Sequence, residues 1–166
     1  MAVNLSPVQF RQERPQQDVR AALAASGLDP ARLELELTES TLLQFDSSVA
    51  TAVEHWKAEG ISLAIDDCGT GYSSLSYLKR LRVNKLKIDR SFISNLNESE
   101  SDRAIVRAVI QMARSLQIKT VAEGIESAEI AERLGTLGCD QVQGYHYAKP
   151  MPAAEFERWF RGRRRG

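Results

Sequence analysis

The chain has 166 residues, of which 22 are Lys or Arg and 22 are Asp or Glu, so its formal net charge is zero. With 43% hydrophobic and 27% charged residues, the composition is that of a single globular domain and excludes a disordered chain. The zero net charge gives no bias towards a nucleic acid polymer or an anionic membrane, and no apolar run approaches the ~18 residues of a spanning helix. Two cysteines without a CxxC motif and a start unlike a signal peptide predict free thiols in the cytoplasm.

Short apolar runs that are typical of strands alternate with longer stretches that are typical of helices. The predicted strands are, in chain order, Ala2–Leu5, Leu33–Leu37, Ile61–Ile65, Lys85–Ile88, Lys119–Ala122 and Gln141–Gly144. The predicted helices are Asp18–Ser26, Asp46–Glu59, Ser73–Leu81, Ser99–Gln117, Ser127–Leu137 and Ala153–Phe160. Ser or Asp starts several of these helices and Gly follows several, as start and stop signals do. The alternation predicts an α/β fold whose parallel strands are joined by crossover helices.

The central strands alternate between an apolar face and a polar face. Leu33, Leu35 and Leu37 share one face of the second strand, whereas Glu34 and Glu36 share the other. A parallel strand covered by helices on both sides would be apolar on both faces, so the pattern favours a (β/α) barrel with a functional interior. A complete TIM-type barrel has eight units in ~250 residues. We therefore expect an incomplete TIM-type (β/α) barrel with about six of the eight βα units, the first two being absent.

Each predicted strand ends in polar side chains: Asn4 and Ser6, Glu36 and Glu39, Asp66 and Asp67, Lys87 and Asp89, Glu123 and Glu126, and Gln143. Since the active sites of such barrels form at the C-terminal ends of the strands, we expect one shared site. Adjacent carboxylates such as Asp66 and Asp67 can flank a pair of divalent cations, and their hard oxygen atoms favour Mg²⁺ or Mn²⁺ over Zn²⁺. The alternative for this segment is a glycine-rich turn in which an Asp caps the next helix.

Six segments carry a resemblance to a known family: Asn-Leu-Ser at 4–6, Glu-Leu-Thr-Glu at 36–39, Asp-Asp-Cys-Gly-Thr-Gly-Tyr-Ser-Ser at 66–74, Lys-Ile-Asp at 87–89, Ala-Glu-Gly-Ile-Glu at 122–126 and Gln-Gly-Tyr at 143–145. They resemble the EAL-domain phosphodiesterases, bacterial enzymes that hydrolyse cyclic di-GMP to linear pGpG. The resemblance implies a truncated EAL domain at residues 1–160 and a basic tail at 161–166. The Glu-Ala-Leu tripeptide that names the family does not occur in the sequence, and we expect it to belong to the two absent units.

The resemblance also implies roles for the matching residues. The metal ligands would be Asn4, Glu36, Asp66, Asp67 and Glu123. Asp66 would bridge two Mg²⁺ or Mn²⁺ ions, and the glutamate of the tripeptide would complete the first ion's ligands. The catalytic side chains would be Lys87 and Glu123, with Gln143 placing the attacking water. Glu39 would support the loop at residues 69–74 near the metal ions, and Gly69, Thr70 and Gly71 would form part of that loop.

The implied function is metal-dependent hydrolysis of cyclic di-GMP, impaired in this chain alone because one carboxylate ligand is missing. Two alternatives stay open: a catalytically inactive receptor that binds the nucleotide, and a protein-interaction module or non-functional remnant of a longer gene. The expected partners are cyclic di-GMP and either a second copy of the chain, in a homodimer, or an upstream barrel segment or regulatory domain. Because the first and last strands would each expose an edge, we expect the isolated chain to associate or aggregate.

Overall fold

Six parallel strands form one sheet in the computed structural model, which describes residues 1–6, 8–9, 15–38, 41, 47–68, 78 and 81–163. The strands are β1 (Ala2–Leu5), β2 (Glu34–Thr38), β3 (Ser62–Cys68), β4 (Lys85–Ile88), β5 (Lys119–Ala122) and β6 (Gln141–Val142). Each strand pairs in parallel with the next along the chain. This confirms the predicted α/β fold, and the consecutive order is that of a (β/α) barrel wall.

The helices lie between these strands and after the last one. They are α1 (Pro15–Ser26), α2 (Ser47–Ala58), α3 (Arg90–Ser94), α4 (Glu100–Ser115), α5 (Ala128–Leu137) and α6 (Ala153–Arg163). Ser99 caps the start of α4, Ser127 caps the start of α5, and the left-handed Gly138 ends α5, so these predicted signals are confirmed. The sequence patterns do not predict α3, which Asp89 caps. The predicted helix at Ser73–Leu81 falls largely outside the described residues.

Helices cover the apolar face of the sheet. Leu35 and Leu37 of β2 and Leu63 and Ile65 of β3 are each at most 1% exposed, and they share a buried cluster with Trp56 of α2. A second buried cluster joins the ends of β4 and β5 to α3, α4 and α5. The predicted alternation is confirmed, and the polar side chains of these strands are left on the opposite face.

A bulge in β3 lies at the two adjacent acids. Ile65 pairs with Leu86 and Cys68 pairs with Ile88, so β3 has one residue more than β4 between these pairs. Asp67 has a φ of 57°, in the left-handed region that Asp adopts more readily than most residues. The bulge shifts the alternation by one position, so that Cys68, and not Asp67, enters the helix-covered core. Both carboxylates therefore stay out of the apolar core.

The last strand is shorter than predicted. β6 ends at Val142, whereas the sequence pattern predicts a strand through Gly144. A Cβ on Gly144 would overlap the backbone N and O atoms of Ile125, and the N–H of Ile125 donates to the carbonyl of Gln143 at 3.0 Å. The prediction is wrong for these last two residues because the chain turns there to pack directly on the backbone that follows β5.

The last helix continues into the stretch predicted as a basic tail. Arg161 pairs with Glu157 one turn earlier, and the Arg163 guanidinium lies 4.8 Å from the centre of the Trp159 ring, contacts that favour a helix. The domain boundary at residue 160 and the association through exposed edges stay predictions. Over the part of the chain that the structure describes, no helix has the length and apolar character needed to cross a membrane.

Candidate active site

Four charged side chains converge near the C-terminal ends of β2 to β5, on the face opposite the helix-covered core. The Lys87 ammonium of β4 lies 2.8 Å from Oε2 of Glu36 on β2 and 3.1 Å from Oδ2 of Asp66 on β3. It also lies 2.8 Å from Oε1 of Glu123, which follows β5. These side chains, here called the ion cluster, are between 7% and 21% exposed. Three of the predicted metal ligands and a predicted catalytic residue are therefore brought together.

Lys87 reaches Glu36 across an intervening strand. β3 lies between β2 and β4, and the β3 residue paired with Glu36 is Ala64. Ala64 is fully buried yet belongs to neither helix-covered cluster, so it faces the same side as the two charged residues. Its methyl group leaves room for the lysine to cross β3, which a larger side chain would fill.

A second ion pair repeats this arrangement one layer below the ion cluster. The Lys85 ammonium lies 2.8 Å from Oε2 of Glu34, and the hydroxyl of Ser62, on the strand between them, donates to the same oxygen at 3.2 Å. The sequence reasoning missed this pair. The sequence does carry a signal for it: the two lysines of β4 are two residues apart, and so are the two glutamates of β2. Each pair therefore lies on one face of its strand.

Burial and charge act against each other in the ion cluster. Burial alone would lower the pKa of Lys87, but its hydrogen bonds to Glu123 and Glu36 and the carboxylate charges outweigh burial and raise that pKa above its ordinary value. Burial raises the pKa of Glu123, Lys87 opposes the rise, and the charges of Asp66 and Glu36 add to it. Lys87 is therefore a cation throughout the neutral pH range, whereas Glu123 ionises less readily than an exposed glutamate.

The other predicted ligands and the predicted water-placing residue lie around the ion cluster. Asn4 is exposed on β1, paired in register with Glu36. Asp67 is half-buried, and its backbone N–H donates to Oδ1 of Asp66 at 3.0 Å. Gln143 is exposed just beyond β6. Among the residues that the structure describes, neither the Asn4 side chain nor the Gln143 side chain forms a hydrogen bond to the ion cluster. Their roles therefore stay predictions.

Some predicted residues fall elsewhere. The loop-supporting set lies outside the described residues and comprises Glu39, Gly69, Thr70 and Gly71. Asp89 accepts the N–H of Ser91 at 2.9 Å as the cap of α3, and Glu126 pairs with Arg90 at 2.6 Å on the surface. The expectation that every polar strand end joins one site is therefore wrong for Asp89 and Glu126, because each is taken up by a local helix cap or surface pair.

The donor atoms of the ion cluster fit a hard divalent cation. Three carboxylates against one ammonium leave a formal charge of −2, and the donors are oxygen atoms, as Mg²⁺ and Mn²⁺ prefer. Within the described ranges, no three His, Cys, Asp or Glu side chains are arranged to share one metal ion, since the Lys87 ammonium lies between the carboxylates. The cluster thus fits a divalent ion through its negative charge and its carboxylate oxygen atoms, and not through ligands that already surround a vacant metal position.

Comparison with known sequences gives a consistent set of relatives. Residues 1–150 match the EAL domain. The chain is 45% identical over 155 residues to the bifunctional diguanylate cyclase/cyclic di-GMP phosphodiesterase MucR of Pseudomonas aeruginosa, covering 93% of this chain and 23% of that protein. It is 44% identical over 147 residues to the cyclic di-GMP phosphodiesterase NbdA of the same species, covering 89% of this chain and 19% of that protein. The chain thus spans about a fifth of the length of these curated relatives.

Solved structures show the same fold. The PaMucR phosphodiesterase in complex with cyclic di-GMP matches with a TM-score of 0.89 and 45% identity, over 93% of this chain and 63% of that chain. A manganese and cyclic di-GMP complex of Klebsiella pneumoniae BlrP1 matches with a TM-score of 0.81 and 32% identity, over 90% of this chain and 38% of that chain. Both matches extend over nearly all of the present chain.

Proposed function

This chain belongs to the EAL domain family, and we propose that it carries out metal-dependent hydrolysis of cyclic di-GMP to linear pGpG. The observation that supports this most is the ion cluster, in which one lysine meets three carboxylates near the ends of consecutive strands. Burying four charged groups requires costly dehydration, and one carboxylate would suffice to neutralise a structural lysine. The excess of negative charge is better explained by a site that binds cations.

The carboxylates would hold the metal ions. When bound, two divalent ions supply a water of lowered pKa and neutralise a phosphodiester during in-line attack. Glu36 and Asp66 would contribute to the first ion, together with Asn4, whose strand position is opposite Glu36. Asp66 would be shared with the second ion, to which Asp67 and Glu123 would also contribute. This assignment follows the EAL motifs, and the bulge supports it because it keeps both adjacent carboxylates out of the core.

Two further side chains would act on the substrate and the water. Lys87 keeps its proton at neutral pH, since the neighbouring carboxylates raise its pKa. It can therefore offer a positive charge to the phosphate, where negative charge increases during attack. Gln143 would orient the water through its side-chain amide. The packing of Gly144 on the backbone of Ile125 supports this role, because it holds the Gln143 segment against the loop that carries Glu123.

We also propose that these 166 residues by themselves have low activity. The Glu-Ala-Leu tripeptide does not occur in them, and in the EAL assignment its glutamate would be a further carboxylate ligand of the first ion. Groups that position and stabilise a transition state act together, so the loss of one ligand usually reduces the rate by more than its separate share.

The test is the production of pGpG from cyclic di-GMP in Mg²⁺ or Mn²⁺, measured by chromatography at matched concentrations. The full chain is compared with the same chain preceded by an upstream barrel segment of the family type that contains Glu-Ala-Leu. We expect the fusion to be far faster, and Glu36→Gln or a tripeptide Glu→Ala change to abolish the gain. Arg20→Met, on α1, is the control that keeps it. Cyclic di-GMP binding without pGpG production by either protein would favour the inactive receptor instead.

A further inference from the structure

A second ion pair ties the loop that carries Glu123 to the segment that follows β4. Arg90 lies three residues after Lys87, and its Nη2 donates to Oε1 of Glu126 at 2.6 Å. Glu126 in turn lies three residues after Glu123. The 2.8 Å contact between Lys87 and Glu123 already joins these two segments inside the site. Arg90 and Glu126 join them a second time, at the surface.

The aliphatic part of Arg90 also covers this loop. A Cβ on Gly124 would overlap Cγ of Arg90 and would lie 2.8 Å from its Cδ, so the methylene groups lie directly on the glycine. Gly124 has a φ of 72°, and only glycine combines this conformation with so close an approach. Beneath it, the N–H of Glu123 donates to the carbonyl of Ile88 at 3.2 Å. The loop is thus held from the strand below and from the arginine above.

We propose that Arg90 is a positioning residue, which orients loop 123–126 so that the Glu123 carboxylate points into the ion cluster. The inference rests on the proposed function, in which Glu123 is a metal ligand. The side chains of Arg90 and Glu126 are 58% and 56% exposed, and such exposed pairs contribute little to overall stability. The contribution of Arg90 is therefore expected in the order of the loop and in metal affinity, and not in the stability of the fold.

Three substitutions separate the charge of Arg90 from its aliphatic stem. Arg90→Met keeps the stem, Arg90→Lys keeps stem and charge, and Arg90→Ala removes both. We expect the Mn²⁺ affinity of the full chain, measured by calorimetry, to fall about threefold to tenfold in Arg90→Met. This loss is no larger than the ~10–100-fold losses that are typical when a group that directly orients a metal ligand is removed. Arg90→Ala should lose more, and Arg90→Lys should restore most of the affinity, because one nitrogen makes the bond to Glu126.

Amide hydrogen exchange gives a second readout that does not depend on metal. The N–H of Ile125 donates to the Gln143 carbonyl at 3.0 Å, and its exchange should accelerate in Arg90→Met and more in Arg90→Ala. The matched control is Arg20→Met, which breaks an exposed Arg–Glu pair of the same 2.6 Å length between α1 and Glu59. It should change neither the Mn²⁺ affinity nor the Ile125 exchange.

The outcomes distinguish the positioning role from the proposed function. Unchanged Mn²⁺ affinity and unchanged Ile125 exchange in both Arg90→Met and Arg90→Ala would overturn the positioning role. Equal losses in Arg20→Met would also overturn it, because the effect would then be a general one. If the unsubstituted chain binds no Mn²⁺, the proposed function fails, and the exchange of Ile125 alone decides whether Arg90 holds the loop.

Discussion

Replacing Lys87 with Met should destabilise the fold and, at the same time, tighten the binding of Mn²⁺. The substitution keeps a chain of similar length and removes the only cation that contacts Glu36, Asp66 and Glu123 within the described residues. The three carboxylates, whose side chains are 9%, 13% and 21% exposed, would then face one another without compensation.

The magnitude follows from the contact geometry. At an effective dielectric constant of ~20, each Lys87–carboxylate contact near 3 Å corresponds to about 5–6 kcal/mol of attraction, most of which offsets the dehydration of the charged groups. Removing one partner of a buried ion pair typically costs about 3–5 kcal/mol, because the other charge stays buried and unpaired. We expect a loss of that size in the free energy of unfolding at pH 7 without metal.

The effect on metal affinity has the opposite sign. A cation in the cluster of Lys87→Met would meet a formal charge of −3 instead of −2. A unit charge about 5 Å from a divalent ion contributes about 2–7 kcal/mol, depending on the effective dielectric constant, so Mn²⁺ affinity should rise at least about tenfold. Under the proposed function, the Glu-Ala-Leu fusion should still lose its hydrolysis of cyclic di-GMP when it carries Lys87→Met, since the phosphate would no longer meet the ammonium.

Urea unfolding and Mn²⁺ calorimetry measure the two effects, with Lys85→Met as the control. Lys85 is 25% exposed and contacts a single carboxylate, on Glu34, so its loss leaves one unpaired charge instead of three and should cost clearly less than the loss of Lys87. Burial already raises the pKa of Glu123, and without Lys87 the ammonium would no longer oppose that rise, so part of the stability lost in Lys87→Met at pH 7 should return as the pH falls and Glu123 protonates. Equal stability of the two variants, or weaker Mn²⁺ binding by Lys87→Met, would refute this reasoning.

Three further predictions test separate parts of the site. Glu123→Gln should raise the urea midpoint at pH 7, because the raised pKa of Glu123 means that the fold disfavours its ionised form; this gain should vanish towards pH 4, where the carboxyl is protonated in both states. Gly144→Ala should lower the free energy of unfolding by about 2–3 kcal/mol, because its Cβ would overlap the backbone of Ile125; an unchanged urea midpoint would contradict this. Asp66→Asn should weaken Mn²⁺ binding more than Asp67→Asn, since Asp66 lies in the ion cluster; equal, small effects in calorimetry would favour the turn-and-cap alternative.

The sequence was sufficient to predict the inner and outer faces of the central strands. Leu35 and Leu37 alternate with Glu36, and a strand has a side-chain period of two whatever the tertiary contacts are. The grouping of the carboxylates followed from the parallel topology together with the EAL motifs. The five-residue helix α3 is too short for any helical periodicity to show in the sequence.

The bulge and the partners of Lys87 could not be predicted from the pattern. The run from Ile65 through Asp66 and Asp67 to Cys68 gives no local sign of where the alternation shifts, because the extra residue is defined only by the pairing with β4. The contact between Lys87 and Glu36 crosses β3 at Ala64, so it depends on strand order and on register. Both are properties of the assembled sheet and not of any one segment.

The agreement between strand order and chain order also has a consequence for the order of assembly during folding. Each strand pairs with the next one in sequence, so every addition closes one short-range loop. Glu36 and Asp66 approach each other when β3 joins β2, and their repulsion opposes this step until β4 brings Lys87. We therefore expect the amides of β3 and β4 to gain protection together in pulse-labelling exchange during refolding; protection of β3 well before β4 would show that the two carboxylates present no kinetic barrier.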